Sequence, residues 1–126
     1  MRKFSNKIST FFKGLDKDND FWWQMVPKSQ SAADPGDIVF FKYRLSSGVF
    51  GGYRLFMVIE PIVFEASTGN LLMTGFKVPP EGDYTAESVI SLYKNKELPK
   101  ENYRTYRLNR IYGPLRRLHI EKRKDI

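Results

Sequence analysis

Closely spaced turn signals are the feature that most constrains how this chain folds. From Ile38 onward, short runs of β-branched and aromatic residues alternate with clusters of Gly, Pro, Asn and Ser. Such punctuation leaves no room for long helices and favours short strands. Ser67-Thr-Gly-Asn70 is typical of a hairpin turn. Pro79-Pro80 ends the strand that follows this turn, because proline cannot donate a hydrogen bond into a ladder.

The spacing of these runs predicts a mainly β fold. Five or six short strands at such intervals are typical of a small curled barrel. One short helical insertion is predicted over residues 86–94, where Thr85 is a suitable N-cap and Pro99 prevents a longer helix. Residues 111–114 are expected to form a tight 3₁₀ turn before the last strand. The predicted strands cover residues 38–43, 53–59, 62–64, 71–78, 103–108 and 115–120.

The first 33 residues are expected to form an N-terminal helical arm and linker, and residues 34–126 the barrel domain. Phe4, Ile8 and Phe11 recur at intervals of four and three residues, which places them on one stripe of a helix. Gly14 follows as a C-cap that tolerates a positive φ. Because the helix is short, it must pack against another surface to persist.

The charge of the chain favours anionic partners. There are 21 Lys and Arg against 14 Asp and Glu, a formal net charge of +7. A surplus of this size attracts nucleic acid, anionic lipid or an acidic protein surface. No apolar run approaches the roughly 20 residues needed to cross a bilayer, and the apolar face of the basic arm is short. Membrane attachment therefore ranks last among these binding modes.

Residues with catalytic or metal-binding chemistry are sparse. The chain has one histidine, His119, which strand alternation places on the solvent side, and it has no cysteine. Asp16, Asp18 and Asp20 imitate the start of a calcium-binding loop. The imitation then fails, because Phe21 stands where the loop needs glycine, and the bidentate Glu is missing. We therefore expect a protein that is not an enzyme and that uses no metal or cofactor.

The N-terminal segment supplies the first set of candidate binding residues. Large, rigid aromatic side chains are favoured at the centres of protein interfaces. Both tryptophans of the chain lie side by side here, ahead of the predicted domain. The predicted protein-binding residues are Phe4, Ile8, Phe11, Phe12, Phe21, Trp22 and Trp23.

The C-terminal third supplies the second set, because it is rich in arginine with tyrosines interleaved. Guanidinium groups pair with phosphates and rings stack on bases, so the composition is typical of nucleic-acid surfaces. A basic protein-docking surface and a solvated face with no partner remain open alternatives, because strand alternation divides the set between two faces. The predicted nucleic-acid-binding residues are Arg104, Arg107, Arg110, Arg116, Arg117 and Arg123.

Five segments resemble, in the same order, those of small uncharacterised proteins of contractile-tailed phages. They are Pro35-Gly-Asp37, Thr68-Gly-Asn-Leu-Leu72, Gly75-Phe76, Leu92-Tyr-Lys94 and Tyr103-Arg-Thr-Tyr106. This resemblance implies a viral origin and a shared fold. Residues 71–76 and 103–111 also resemble strands of WYL domains, which are small barrels related to the Sm and Src-homology folds.

Together these features predict a non-catalytic phage structural or docking protein. It would pack into a larger assembly through its N-terminal arm and its basic barrel surface. Its partners would be other subunits of the phage assembly, in the virion or the host cytoplasm. The alternative is a nucleic-acid-binding regulatory small-barrel protein that uses its arginine-rich C-terminal strands.

Overall fold

The fold is mainly β, as the spacing of the turn signals predicts. The computed structural model describes residues 10–45, 47–48 and 50–123. Within these residues, seven strands form one antiparallel sheet, accompanied by one complete α-helix. The strands are β1 (Asn19–Val26), β2 (Ile38–Arg44), β3 (Phe50–Val58), β4 (Val63–Glu65), β5 (Asn70–Lys77), β6 (Tyr103–Arg107) and β7 (Ile111–Lys122). The helix is α1 (Ala86–Lys94), and 3₁₀ turns lie at Leu15–Lys17, Lys100–Asn102 and Leu108–Arg110.

The sheet is open, with its strands hydrogen-bonded in the order β1–β7–β2–β3–β5–β4. β3 and β4 pair with opposite ends of one edge of β5, and β6 pairs with the other edge. The pairings among the described residues therefore do not close into the ring of strands expected for a barrel. β7 pairs with both β1 and β2, so it joins the N-terminal strand to the rest of the sheet.

The edge strand β1 comes from the segment that sequence analysis assigns to an arm and linker. Asn19 pairs with Lys122 and Val26 pairs with Leu115, so this segment belongs to the sheet. Alternate apolar residues of this segment are partly buried in the sheet, and this burial stabilises the strand although a polar run precedes it. The predicted helical arm lies largely outside the described residues. Its last part is helical at positions 10 and 11, and Gly14 has the expected positive φ, 88°.

The predicted turn at residues 111–114 is wrong, because these residues belong to β7. The 3₁₀ turn lies just before them, at Leu108–Arg110. Phe40 pairs with Arg116 and Lys42 pairs with Tyr112, so β7 advances four residues while β2 advances two. Gly113, with φ 76°, lies in this irregular stretch next to proline, which donates no ladder bond. The turn residues therefore form a bulge that lets β7 continue.

Alternation along the strands builds two apolar clusters, one on each face of the sheet. We call the first the aromatic core; Tyr106 lies at its centre, with ring centroids 4.7 Å from Tyr43, 5.2 Å from Phe56 and 5.4 Å from Phe41. Val39, Val58, Met73, Leu108, Ile111 and Leu115 complete most of it. We call the second the helix-side core, because α1 and the N-terminal segment cover it. It includes Phe11, Leu15, Ile38, Leu55, Met57, Phe76, Ala86, Val89 and Leu118.

Helix α1 begins where the sequence predicts. The Thr85 side chain accepts a hydrogen bond from the Ser88 backbone N–H at 3.1 Å, and the Ser88 hydroxyl accepts one from the Thr85 N–H at 2.8 Å. This reciprocal capping satisfies two donors that have no partner inside the helix. Ala86 and Val89 are fully buried against the sheet, which fixes the helix on the helix-side core.

Gly75 allows β3 and β5 to approach closely, so Gly75→Ala is expected to destabilise the fold. A methyl group at this position would overlap the Met57 carbonyl oxygen and lie 2.9 Å from the Phe56 ring. Overpacking of this kind costs about 1–3 kcal/mol. Gly69→Ala is the control, because that site has open space and only a positive φ to strain. Urea unfolding should show a larger loss for Gly75→Ala, and an equal or smaller loss would contradict this account.

The buried phenol of Tyr106 is expected to make the fold sensitive to alkali. Burial raises the pKa of Tyr106, and the nearby positive charge of Arg54 only partly opposes this. The unfolded chain therefore loses this proton at lower pH than the folded chain. The free energy of unfolding should fall as pH rises above about 10.

Urea unfolding at pH 8 and pH 10.5 tests this assignment. Tyr106→Phe should lose less stability between the two pH values than the wild type does. Tyr112→Phe, at an exposed position, should follow the wild type. An identical pH dependence in wild type and Tyr106→Phe would show that Tyr106 is not the group responsible.

Candidate docking surface

The aromatic residues predicted to bind protein pack mostly within this domain. Phe4 and Ile8 lie outside the described residues. Phe11 is fully buried, Phe12 stacks on Phe21 at 4.6 Å, and Trp23 lies 5.6 Å from Phe40. The reason is that β1 pairs with β7, which turns alternate side chains toward the helix-side core.

Trp22 is the exception within the described part of the arm. It faces the other side of β1, and its side chain is 43% exposed. Its ring lies 4.5 Å from the ring of His119, its partner across the strand pair. The aromatic run as a whole was expected to form an exposed anchor for a partner. Among the described residues of this run, Trp22 alone remains exposed enough for that role.

The predicted nucleic-acid-binding arginines do not form one surface. Arg117 donates to the backbone carbonyl of Ala32 at 3.2 Å and to the Gln24 side chain at 3.4 Å. Arg123 donates to the Asp20 carboxylate at 3.0 Å, which ties the end of β7 to β1. These two guanidinium groups are therefore used within the fold.

The other four predicted arginines are scattered. Arg104 donates to the carbonyls of its own chain segment, on β6. Arg107 and Arg110 flank the 3₁₀ turn before β7. Only Arg116 lies opposite Phe40 on the helix-side face, next to basic residues of β2. Strand alternation and the bulge in β7 separate side chains that are close in sequence.

A different surface brings cations and rings together. We call it the cation–aromatic face; it consists of Phe40, Lys42 and Arg44 of β2, Tyr53 of β3, and Tyr112 and Arg116 of β7. It lies on the helix-side face of the sheet, beyond the end of β2 that α1 and the N-terminal segment cover. Trp23 and Met25 of β1 continue it along the same face.

Two of the three cations of this face, Lys42 and Arg44, lie over its aromatic rings. The Lys42 ammonium is 5.3 Å from the Tyr53 ring centroid and 5.8 Å from that of Tyr112. The Arg44 guanidinium is 4.9 Å from the Tyr112 centroid. Phe40 and Tyr53 stack almost in parallel, with centroids 5.1 Å apart. Each contact contributes about 0.5–1 kcal/mol at an exposed site, so together they hold the cations in defined positions.

No carboxylate neutralises the positive charge of this face among the described residues. The two ion pairs found there, Arg123–Asp20 and His119–Glu121, lie elsewhere. Lys42, Arg44 and Arg116 therefore present a positive field next to exposed apolar area. Met25 is 74% exposed and Tyr112 is 51% exposed, so this apolar area is accessible to a partner.

Sequence analysis identified Arg116 of this surface but assigned no role to Lys42, Arg44 or Tyr53. A signal was present for the first two, since they alternate with buried residues along the predicted strand from Ile38. Tyr112 lacked such a signal, because its position beside Lys42 depends on the bulge in β7. The registers of three strands are needed to assemble this surface.

No group of three or more His, Asp or Glu side chains among the described residues is placed to hold a metal ion. His119 is partly exposed and lies 3.7 Å from the Glu121 carboxylate. Within the same residues, no helix is long and apolar enough to span a membrane.

Comparison with protein-family models, curated proteins and solved structures gives no match to this chain. The resemblance to proteins of contractile-tailed phages therefore stays a prediction. The geometry and charge of the surfaces described above are therefore the basis for proposing a function.

Proposed function

We propose that this chain is a non-catalytic docking protein that binds an acidic protein surface through its cation–aromatic face. The observation that carries the proposal is that Lys42 and Arg44 lie over the exposed ring of Tyr112, with Arg116 on the same face, and that none of the three has an ion-pair partner among the described residues. Such a field accelerates encounter with an oppositely charged partner and fixes its register.

The composition of the face supports a protein as the partner. Arg, Met and the aromatic residues are enriched at protein interfaces, whereas Asp and Glu are depleted. Met25, Tyr112 and Arg44 provide this combination at exposed positions. A partner that covers them would bury apolar area at the centre and pair the cations with its own carboxylates.

The arrangement of the rings favours protein docking over base stacking. A base stacks on an open ring face. Here Phe40 and Tyr53 cover each other, and Lys42 and Arg44 lie over the rings of Tyr53 and Tyr112. Stacked bases would have to displace these cations, whereas a carboxylate-bearing partner would leave them in place.

The finer fold and the biological context form part of the same proposal. β6 continues through Leu108–Arg110 directly into β7, and the Tyr43 hydroxyl accepts a hydrogen bond from the Arg107 backbone N–H at 3.2 Å. This link between β6, at an edge of the sheet, and β2, in its middle, supports a small barrel of the Src-homology, Sm or WYL-like kind. We propose other subunits of a phage assembly as partners, in the virion or the host cytoplasm, with the N-terminal helical arm as a second contact.

Site-specific photo-crosslinking in the cells that make the protein tests the docking proposal. Benzoylphenylalanine in place of Tyr112 is expected to cross-link to a protein whose contacted surface is acidic. The matched control places the same group at Phe64, which is 59% exposed on β4 and outside the face. Arg44→Glu combined with Arg116→Glu should abolish the Tyr112 cross-link, because like charges would then meet.

Two results would contradict the docking proposal. One is equal cross-linking from position 112 and position 64. The other is cross-linking from position 112 to nucleic acid alone. Circular dichroism of each variant checks that the sheet is retained.

A nucleic-acid-binding function is the second candidate, because no carboxylate among the described residues forms an ion pair with Lys42, Arg44 or Arg116. If these cations contact phosphates, binding to single-stranded DNA must weaken with salt. Each lost contact should reduce the slope of log K against log salt by about 0.7. Lys42→Gln/Arg44→Gln should therefore reduce the slope by about 1.4. Lys94→Gln on α1 is the control, and fluorescence anisotropy measures the affinity.

A further inference from the structure

A second group of cations lies on the opposite face of the sheet, at the rim of the aromatic core. Arg54 of β3 is two residues from Phe56, so both share one face. Lys77 pairs directly with Phe56, and Arg104 pairs with Gly75, two residues before Lys77. Alternation therefore places Arg54, Lys77 and Arg104 on the same face of three adjacent strands.

Lys77 has no hydrogen-bond or ion-pair partner among the described residues. It is half-buried, and its pKa is lowered first by this burial and then by the charges of Arg54 and Arg104. No carboxylate acts on it in the opposite direction. Three like charges in one place weaken a fold unless something compensates them. The described part of the chain supplies no compensation, so an external anion is the chemical complement.

The two guanidinium groups are held in position before any ligand arrives. Arg54 donates from Nε to the Tyr106 hydroxyl at 3.2 Å and from Nη1 to the carbonyls of Gly51 and Tyr53 at 2.6 and 3.1 Å. Arg104 donates from Nη1 to the carbonyls of Glu101 and Tyr103 at 2.8 and 2.7 Å. Each keeps its Nη2 group for a further acceptor. Fixed donors of this kind lower the entropy cost of binding.

Two members of the cluster, Arg54 and Lys77, border a cavity of about 210 Å³, which Arg104 does not line. The other lining residues are Gly51, Gly52, Tyr53, Leu55, Val78 and Pro80. A water molecule occupies about 30 Å³ in the liquid, so a five-atom phosphate group fits this space.

We propose that Arg54, Lys77 and Arg104 form a binding site for a phosphate dianion, either free phosphate or the terminal group of a phosphate monoester. The two remaining Nη2 groups and the lysine suit this ligand, because guanidinium N–H groups donate to phosphate oxygens and the ammonium adds a point charge. The three cations lie on the face opposite Lys42, Arg44 and Arg116, so the proposal does not rest on the docking proposal.

The stability of the free protein distinguishes a ligand site from a purely structural cluster. If the three cations bind an anion, their mutual repulsion destabilises the free protein, and the bound anion removes this destabilisation. Lys77→Met removes the charge but keeps the length of the side chain. It should therefore raise the Tm of the free protein and abolish the gain that phosphate gives to the wild type.

The experiment compares thermal unfolding in sodium phosphate and in sodium chloride at equal ionic strength, with calorimetry of phosphate binding. The wild type should gain Tm in phosphate, and Lys77→Met and Arg104→Gln should each weaken binding at least tenfold. Lys94→Met, on α1, is the control and should bind like the wild type. Amide resonances of Gly51 and Gly52 should shift on addition of phosphate.

The source of the phosphate is distinguished by two small probes. Methyl phosphate, a monoester dianion, should bind like inorganic phosphate, whereas dimethyl phosphate, a diester monoanion, should bind at least tenfold more weakly. Equal binding of the diester would overturn the assignment to a dianion. The site itself would be overturned by equal Tm values in phosphate and chloride, or by unchanged binding in Lys77→Met.

Discussion

The pairing of β7 with two strands at once is the constraint on which the rest of this structure depends. The first part of β7 pairs with β2 and its later part pairs with β1, so β7 joins the N-terminal strand to the rest of the sheet. The bulge at Gly113 and Pro114 shifts the register of β7 against β2 between Phe40 and Lys42. Without that shift, Tyr112 would not lie beside Lys42, and the cation–aromatic face would lose its exposed ring. The position of Tyr112 on the candidate binding surface thus depends on the bulge in β7.

Much of the fold can be predicted from the sequence, and the failures have physical reasons. Runs of β-branched and aromatic residues gave five of the strands to within a few residues, and Thr85 marked the start of the helix. β1 was missed because its tryptophans follow an acidic run and precede a proline, which looks like a linker. The turn at Gly113-Pro114 was misplaced because the same two residues serve a bulge as well as a tight turn. Tertiary pairing, which has no local signal, decides both cases.

The candidate surfaces are less predictable than the strands. Arg116 was expected to bind an anion, but its cross-strand neighbours are Phe40 of β2 and Met25 of β1 rather than residues of the arginine-rich segment around it. Conversely, Arg117 and Arg123 lie one and seven residues after Arg116 in the sequence, but their hydrogen bonds stabilise the fold. A basic composition predicts the sign of a surface potential, whereas register determines which charges act together. The cluster of Arg54, Lys77 and Arg104 shows the same rule on the opposite face.

The pairing of Asn19 with Lys122 also governs when the molecule can form. β1 pairs with β7 across most of the described chain, so β1 has no partner in the sheet until β7 is available. Until then Phe21 and Trp23 lack the cover of the folded sheet, and exposed apolar side chains favour association with other unfolded chains. Contacts this distant along the chain also slow folding, because a long loop must close before the contact stabilises anything.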